Sequence, residues 1–167
     1  MVRYRPPPAK KSPYITGAGF QTLQDEAARL WIKRREVTKA LAAAAAEGDR
    51  SENAEYIYRK KQLREMDRRI RYLQKRLPDL KVVRNKPPDS NRVYFGASVT
   101  LEDPEGNEIT YRIVGADEFD PGKSWISVDS PMARALLKRS VDEEIRVRTP
   151  TGELYYLICE ISYEVEI

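Results

Sequence analysis

The sequence predicts an α+β protein in two parts: a long antiparallel helical hairpin of coiled-coil type, then a small antiparallel β-sheet domain with one short helix. Three observations predict this. Apolar residues recur at alternating three- and four-residue spacing over residues 20–44 and again over 56–80, the seam pattern of paired helices. Beyond residue 93 the period falls to two, as in half-buried strands. Between these regimes, residues 83–92 are polar and rich in proline, which reads as a linker.

Taken in order, residues 1–14 read as a disordered extension. They open Met1-Val2-Arg3-Tyr4-Arg5-Pro6-Pro7-Pro8, without the apolar core of a secretory signal. Thr16 is placed to cap the first helix. The seam of that helix runs Phe20, Leu23, Ala27, Leu30, Arg34, Val37, Leu41 and Ala44, with Arg34 breaking its apolarity and helping to fix register. Leu41 to Ala46 strongly favours helix, and Gly48 ends it as a C-cap does. The second seam is Tyr56, Leu63, Met66, Ile70, Leu73, Leu77 and Leu80, with Arg59 between Tyr56 and Leu63. Pro78 bends or ends this helix. So short a connection makes the helices antiparallel. The arm, residues 15–82, then has about 30 residues a side and a length of roughly 45 Å.

In the following domain, residues 93–167, the expected strands are Val93–Phe95, Ser98–Leu101, Thr110–Val114, Trp125–Val128, Glu144–Val147 and Leu154–Tyr163. Residues 103–107 and 149–152 carry turn chemistry. Ser130-Pro131 reads as an N-cap with proline at the first helical position, opening a short helix over Met132–Leu137.

Composition narrows the chemistry. The chain has no histidine and one cysteine, Cys159. Histidine acid–base work, His-paired nucleophiles, His metal sites and an internal disulfide are therefore excluded. A lone thiol suits a reducing, cytoplasmic setting. No apolar run approaches the ~20 residues needed to cross a bilayer, so no membrane partner is expected. The net charge of +4 hides an asymmetry. Residues 1–90 carry 22 Lys/Arg against 11 Asp/Glu, whereas residues 91–167 carry 8 against 15. A polyanion is the natural partner of the basic part.

Two features carry functional information. The first is Gly48-Asp49-Arg50-Ser51-Glu52-Asn53-Ala54-Glu55-Tyr56, which puts carboxylates at the tip of the hairpin. Asp49 and Glu52, three apart, suit a variant capping box that satisfies the first amides of the second helix. They also suit a shared Mg²⁺ site, because Mg²⁺ often takes only one or two protein carboxylates and completes its shell from waters and phosphates. Two carboxylates alone hold Mg²⁺ weakly, so a partner would have to complete that site. The second feature is a basic stripe facing away from the seam: Lys61, Arg64, Arg68, Arg71 and Lys75, extended by Arg59, Lys60, Arg69 and Arg76 and offset only by Glu65 and Asp67. A solvated helix face usually mixes signs. A nearly one-signed stripe repels itself and favours phosphates, without reading sequence.

The tip residues Gly48 to Tyr56 resemble the tip of the bacterial Gre transcript cleavage factors. Ser127-Val128-Asp129-Ser130-Pro131-Met132-Ala133-Arg134-Ala135-Leu136-Leu137 resembles the family's second signature. The dense run Arg59 to Arg76 looks like the GreB branch. The resemblance runs from about Ile15 to the C-terminus and implies an FKBP-like fold for the second domain. It implies a transcription elongation factor that is not itself an enzyme. Such a factor docks on bacterial RNA polymerase at the rim of the secondary channel and sends its coiled coil to the active centre. There it stimulates the polymerase's own cleavage of backtracked RNA 3′ ends. By motif match, Asp49 and Glu52 help hold the second Mg²⁺ and position water, supported by Ser51, Asn53 and Glu55. That Mg²⁺ is shared with polymerase and is not bound stably by this chain alone. The stripe Arg59, Lys60, Lys61, Arg64, Arg68, Arg71 and Lys75 holds the nascent RNA 3′ end, and Asp129, Ser130, Pro131 and Met132 lie in the docking surface. A monomer is expected, although seam residues near the base leave self-association open. Val141-Asp142-Glu143-Glu144 departs from the family pattern, which usually has a glycine-containing turn there. Three rival readings are a channel regulator without cleavage activity, a prolyl isomerase or chaperone using Phe95, Tyr111, Trp125, Tyr155 and Tyr156, and a structural coiled coil that binds DNA.

Overall fold

The computed structural model describes residues 6–164. It contains a helical hairpin and a sheet unit, which are taken separately. The elements run β1 (Tyr14–Thr16), α1 (Gly17–Ala46), α2 (Ala54–Arg76), β2 (Lys81–Val83), β3 (Ala97–Glu102), β4 (Glu108–Val114), β5 (Trp125–Ser127), α3 (Pro131–Leu136), β6 (Glu144–Thr149) and β7 (Gly152–Tyr163). Single 3₁₀ turns occupy Leu77–Asp79 and Pro121–Lys123.

The hairpin follows its sequence pattern. The Thr16 hydroxyl accepts the Gly19 N–H at 3.0 Å and caps α1. Leu23, Val37 and Ala44 on α1 and Met66, Ile70 and Leu73 on α2 are buried, and every other seam residue is at least half-buried. Polar pairs fix the pairing. Arg69 donates two bonds to Glu26 at 2.6 and 2.9 Å, and Arg34 reaches Asp67 at 2.6 Å. Near the tip, Asn53 Nδ2 donates to the Ala44 carbonyl at 2.7 Å. Partner numbers fall along α2 as they rise along α1, so the helices are antiparallel. Arg34 thus serves register as expected, by reaching across the seam. The two ion pairs are partly exposed and add little stability each, ~0–1 kcal/mol; apolar burial along the seam carries most of it. The arms are unequal: α1 has 30 residues and α2 has 23, or roughly 45 and 34 Å. Proline at Pro78 diverts the chain into the 3₁₀ turn.

The sheet unit has strand order β5-β4-β3-β7-β6. Its core is Val93, Ala97, Val99, Leu101, Ile113, Val128, Ala133, Leu136, Ile145, Val147 and Ile158. Helix α3 begins as expected, with the Ser130 hydroxyl accepting Ala133 N–H at 3.1 Å and Pro131 in the first turn. Both expected hairpin turns are present, between β3 and β4 and between β6 and β7.

Four expectations are corrected. The sheet is mixed rather than antiparallel, because β5 pairs parallel with β4; the connection over 115–124, with its 3₁₀ turn at 121–123, turns back and then forward again, so that Trp125 lies beside Arg112 with the chain running in the same direction. Val93–Phe95 is not a strand. Val93 is fully buried, but its amide donates to Arg139 at 2.8 Å and its carbonyl accepts from Lys138 at 2.7 Å, so loop backbone satisfies it. Residues 81–83 and 14–16 form a parallel pair that the sequence pattern did not reveal. Three residues are too few to show alternation against a neighbouring helix or linker. The expected disordered extension is likewise structured at its end. Pro13 accepts from Lys81 N–H at 2.8 Å, and the Ser12 amide donates to Asp129 at 2.9 Å. Residues 1–5 of that extension and 165–167 of the second domain lie outside the described residues.

Glu118 anchors the start of α1. It accepts from the Thr16 amide at 3.1 Å, from the Thr16 hydroxyl and from the Gly115 amide at 2.8 Å. A Cβ on Gly115 would meet the Tyr14 carbonyl at 2.3 Å, so only glycine fits there. Within residues 141–144, Asp142 takes φ 68°. Aspartate tolerates that left-handed conformation better than most residues, so the position does not need glycine.

Candidate functional site

The tip is built by the ends of the two arms. Helix α1 stops at Ala46, and Gly48 turns the chain with φ 132°, a conformation that favours glycine. Asp49 follows, with one carboxylate oxygen, Oδ1, accepting the Ser51 amide at 2.9 Å and the Ser51 hydroxyl at 2.8 Å. These bonds hold its carboxyl below the usual aspartate range, the backbone bond being the larger cause.

The cap of α2 is Asn53, not Asp49. Asn53 Oδ1 accepts the Tyr56 amide at 3.0 Å while its Nδ2 holds the Ala44 carbonyl. One side chain therefore caps α2 and ties it to the last turn of α1. This corrects the capping-box reading: Glu52 precedes the cap, and among the described residues its carboxylate takes no hydrogen bond or ion pair. The sequence signal for the true cap was present, since asparagine leads cap preferences alongside aspartate and serine. Two adjacent candidates hid it. Glu55 is bound to Arg59 at 2.7 Å, and Arg50 and Lys60 lie over the Tyr56 ring at 5.8 Å each. Ser51, Asn53 and Glu55 thus each hold local structure, while Oδ2 of Asp49 and both oxygens of Glu52 stay available in exposed side chains.

Along α2, Lys60, Lys61, Arg64, Arg68, Arg71 and Lys75 are all exposed. Arg59 and Arg69 are instead committed to Glu55 and Glu26, so the free stripe is narrower than the sequence suggests. In the sheet unit, Asp129 accepts from the Ser12 amide and hydroxyl, and the Ser130 hydroxyl caps α3. Met132 packs against the core. Of these four, Pro131 is the exposed one. Among the described residues, Glu102, Glu108 and Cys159 have donor atoms within 4.8 Å of one another. Burial and the neighbouring carboxylates push the Cys159 thiol up. No helix among the described residues is long and apolar enough to cross a membrane.

A paired-helix arm with an acidic tip, followed by a mixed sheet domain, defines the class, and comparison with known proteins agrees over both parts. Residues 13–82 match the family described as "Transcription elongation factor, N-terminal", and residues 87–163 match "Transcription elongation factor, GreA/GreB, C-term". The chain belongs to the GreA/GreB family of transcription elongation factors. Within that family it is similar to transcription elongation factor GreB of Pseudomonas aeruginosa, 56% identical over 164 residues and 98% of each chain. It is also similar to GreB of Xanthomonas axonopodis pv. citri, 55% identical over 165 residues and again 98% of each. GreB of Haemophilus ducreyi is 54% identical over 157 residues, 93% of this chain and 97% of that one.

Proposed function

We propose that this chain enters the secondary channel of bacterial RNA polymerase and stimulates the polymerase's own cleavage of backtracked RNA, acting in the cytoplasm without being an enzyme itself. The observation that carries this reading is the division of labour at the tip. Ser51 and Asn53 hold the loop, and Asp49 and Glu52 are left with unspent carboxylate oxygens. Hard oxygen donors in that number suit a Mg²⁺ whose remaining ligands come from elsewhere. Asp49 and Glu52 would hold it jointly with polymerase. In a two-metal centre such an ion would supply activation of water and stabilisation of the attacking oxygen.

The chain's own residues do the positioning. Asp49 stays ionised into mild acid because Ser51 stabilises its charged form. Asn53 fixes the direction in which the loop leaves α1. The exposed cations of α2 attract the extruded RNA through its phosphates. Pro131 and its neighbours at the start of α3 belong to the proposed docking surface. The FKBP-like description of the sheet unit is part of the same reading.

The test is a purified backtracked elongation complex, incubated with the native chain and with the Asp49→Asn/Glu52→Gln pair. Cleavage accelerated by the native chain, needing Mg²⁺ and lost in the variant, is the expected outcome. If the native chain binds polymerase without accelerating cleavage, the reading is wrong and the chain is a channel-occluding regulator.

A further inference from the structure

Residues 84–89, within the expected linker, line two adjoining hollows of the sheet unit. The smaller, of about 40 Å³, has Arg84, Asn85, Lys86, Arg112 and Glu164 in its wall. The larger, of about 470 Å³ and open to solvent, has Pro87, Pro88, Asp89, Tyr94 and Phe95. Val83, Asn85 and Phe95 belong to both walls, so the hollows lie side by side.

The smaller hollow is short of negative charge. Arg84, Lys86 and Arg112 bring three cations against one carboxylate, Glu164. Arg84 and Lys86 are exposed and enter no ion pair among the described residues. Arg112 donates from Nη1 to Glu164 at 3.0 Å and lies over the Trp125 ring at 5.1 Å. Its Nε is buried and meets no acceptor among the described residues. An orphaned guanidinium N–H costs free energy that a ligand oxygen would recover. The hollow has room for about three water-sized groups, which suits the oxygens of one carboxylate or phosphate. Cations gathered around one hollow suit a single anionic group, whereas a nucleic-acid strand needs a charged groove to follow.

The larger hollow is mainly apolar and already shaped. Pro87 and Pro88 have fixed φ, so that wall loses little freedom when it is covered. Tyr94 and Phe95 present half-buried rings, and the Tyr14 ring supports Phe95 at 6.1 Å. The acidic residue of this wall, Asp89, pairs with Arg92 at 3.3 Å, which offsets its charge. An apolar hollow with a few convergent polar groups at one end is the usual form of a small-molecule site.

We propose that the two hollows form one site for a small aromatic anion. Its ring lies on Phe95 and the Pro87–Pro88 wall, and its carboxylate or phosphate lies on Arg84, Lys86 and Arg112. Glu164, exposed at the rim, competes with the ligand for Arg112. The site uses no residue of the tip or of the α2 stripe, and it stands independently of the proposed function.

The test titrates the full chain with phenyl phosphate and with benzoate, and with inorganic phosphate and phenol as the two halves of the ligand taken alone. Calorimetry gives affinity, and NMR follows the Arg112 Nε–H signal. At least one of the two aromatic anions should bind with a dissociation constant of about 1 mM or tighter, and the tighter one identifies the headgroup. Inorganic phosphate and phenol should each bind at least about tenfold more weakly. Binding should move the Arg112 Nε–H signal. Arg84→Gln/Lys86→Gln should weaken binding about tenfold or more, since two charged donors are lost, while Glu164→Gln should strengthen it by removing the competing carboxylate. All three changes are at exposed positions and leave the core untouched. The proposal is overturned if neither aromatic anion binds, or if inorganic phosphate or phenol binds as tightly as both. It is equally overturned if Arg84→Gln/Lys86→Gln binds like the native chain, or if the Arg112 signal stays in place at saturation.

Discussion

The tip of the hairpin and the β3–β4 turn are both exposed, acidic, and opened by an aspartate that folds back on its own backbone, yet they keep different reserves. Asp103 spends both oxygens. Oδ1 accepts the Glu105 and Asn107 amides at 3.0 and 2.8 Å, and Oδ2 accepts Asn107 Nδ2 at 3.1 Å. Asp49 spends one oxygen, and its neighbour Glu52 spends none. The lesson is that acidity alone does not distinguish the two turns; unspent acceptor capacity on a fixed loop does. The β3–β4 turn uses its carboxylate to close a hairpin. The tip delegates closure to Ser51 and Asn53 and presents its carboxylates outward.

The largest effect that can break this comparison is on activity. Glu52→Gln should lower stimulated transcript cleavage by at least about 10–100-fold, the range for losing even an outer partner of a metal ligand, while Asp103→Asn leaves it unchanged. Thermal melting should separate the two in the opposite sense, with Asp103→Asn lowering the sheet unit's melting temperature and Glu52→Gln leaving the hairpin's alone. If Glu52→Gln destabilises the hairpin as much as it slows cleavage, the two turns are alike.

The next effect concerns the scaffold. Asn53→Ala removes the cap and the bond to Ala44, and should cost about 0.5–2 kcal/mol of hairpin stability. Chemical denaturation followed by circular dichroism measures it. An equal loss in Asp49→Ala would restore Asp49 as the cap.

A smaller effect is pH dependence. Both Asp49 and Asp103 have carboxyls lowered by backbone bonds from Ser51 and Asn107. For a depressed acid, the stabilisation is complete above the ordinary aspartate range and is lost as pH falls through the folded-state value. Acid titration followed by NMR of the Ser51 and Asn107 amides should show both turns losing their bonds only below the usual aspartate range. Loss at or above that range would mean the bonds are not formed. The smallest effect tests the turn at Asp142. Asp142→Gly should raise sheet-unit stability by a few tenths of a kcal/mol or leave it level, because relief of the left-handed strain is offset by glycine's greater unfolded freedom. A loss above about 1 kcal/mol would mean that the Asp142 side chain does more than tolerate its backbone.

Much of this was legible in the sequence, and the exceptions share a cause. The two seams, the proline stop at Pro78, the Thr16 and Ser130 caps and the turns at 103–107 and 149–152 all rest on contacts within a few residues. Helical period, cap chemistry and turn residues report such contacts directly. Asp49, Glu52 and the exposed cations of α2 were legible for the same reason, as short local motifs. The tertiary structure alone decided the rest. The parallel pairing of β1 with β2 joins residues separated by the whole hairpin. Glu118 reaches Thr16 across 102 positions of the chain, and β5 pairs parallel with β4. The choice of Asn53 over Asp49 as cap depends on the Ala44 carbonyl of the opposite arm. Spacing along a chain encodes what each residue prefers of its neighbours, whereas which distant group satisfies a hydrogen bond is settled only when the elements meet.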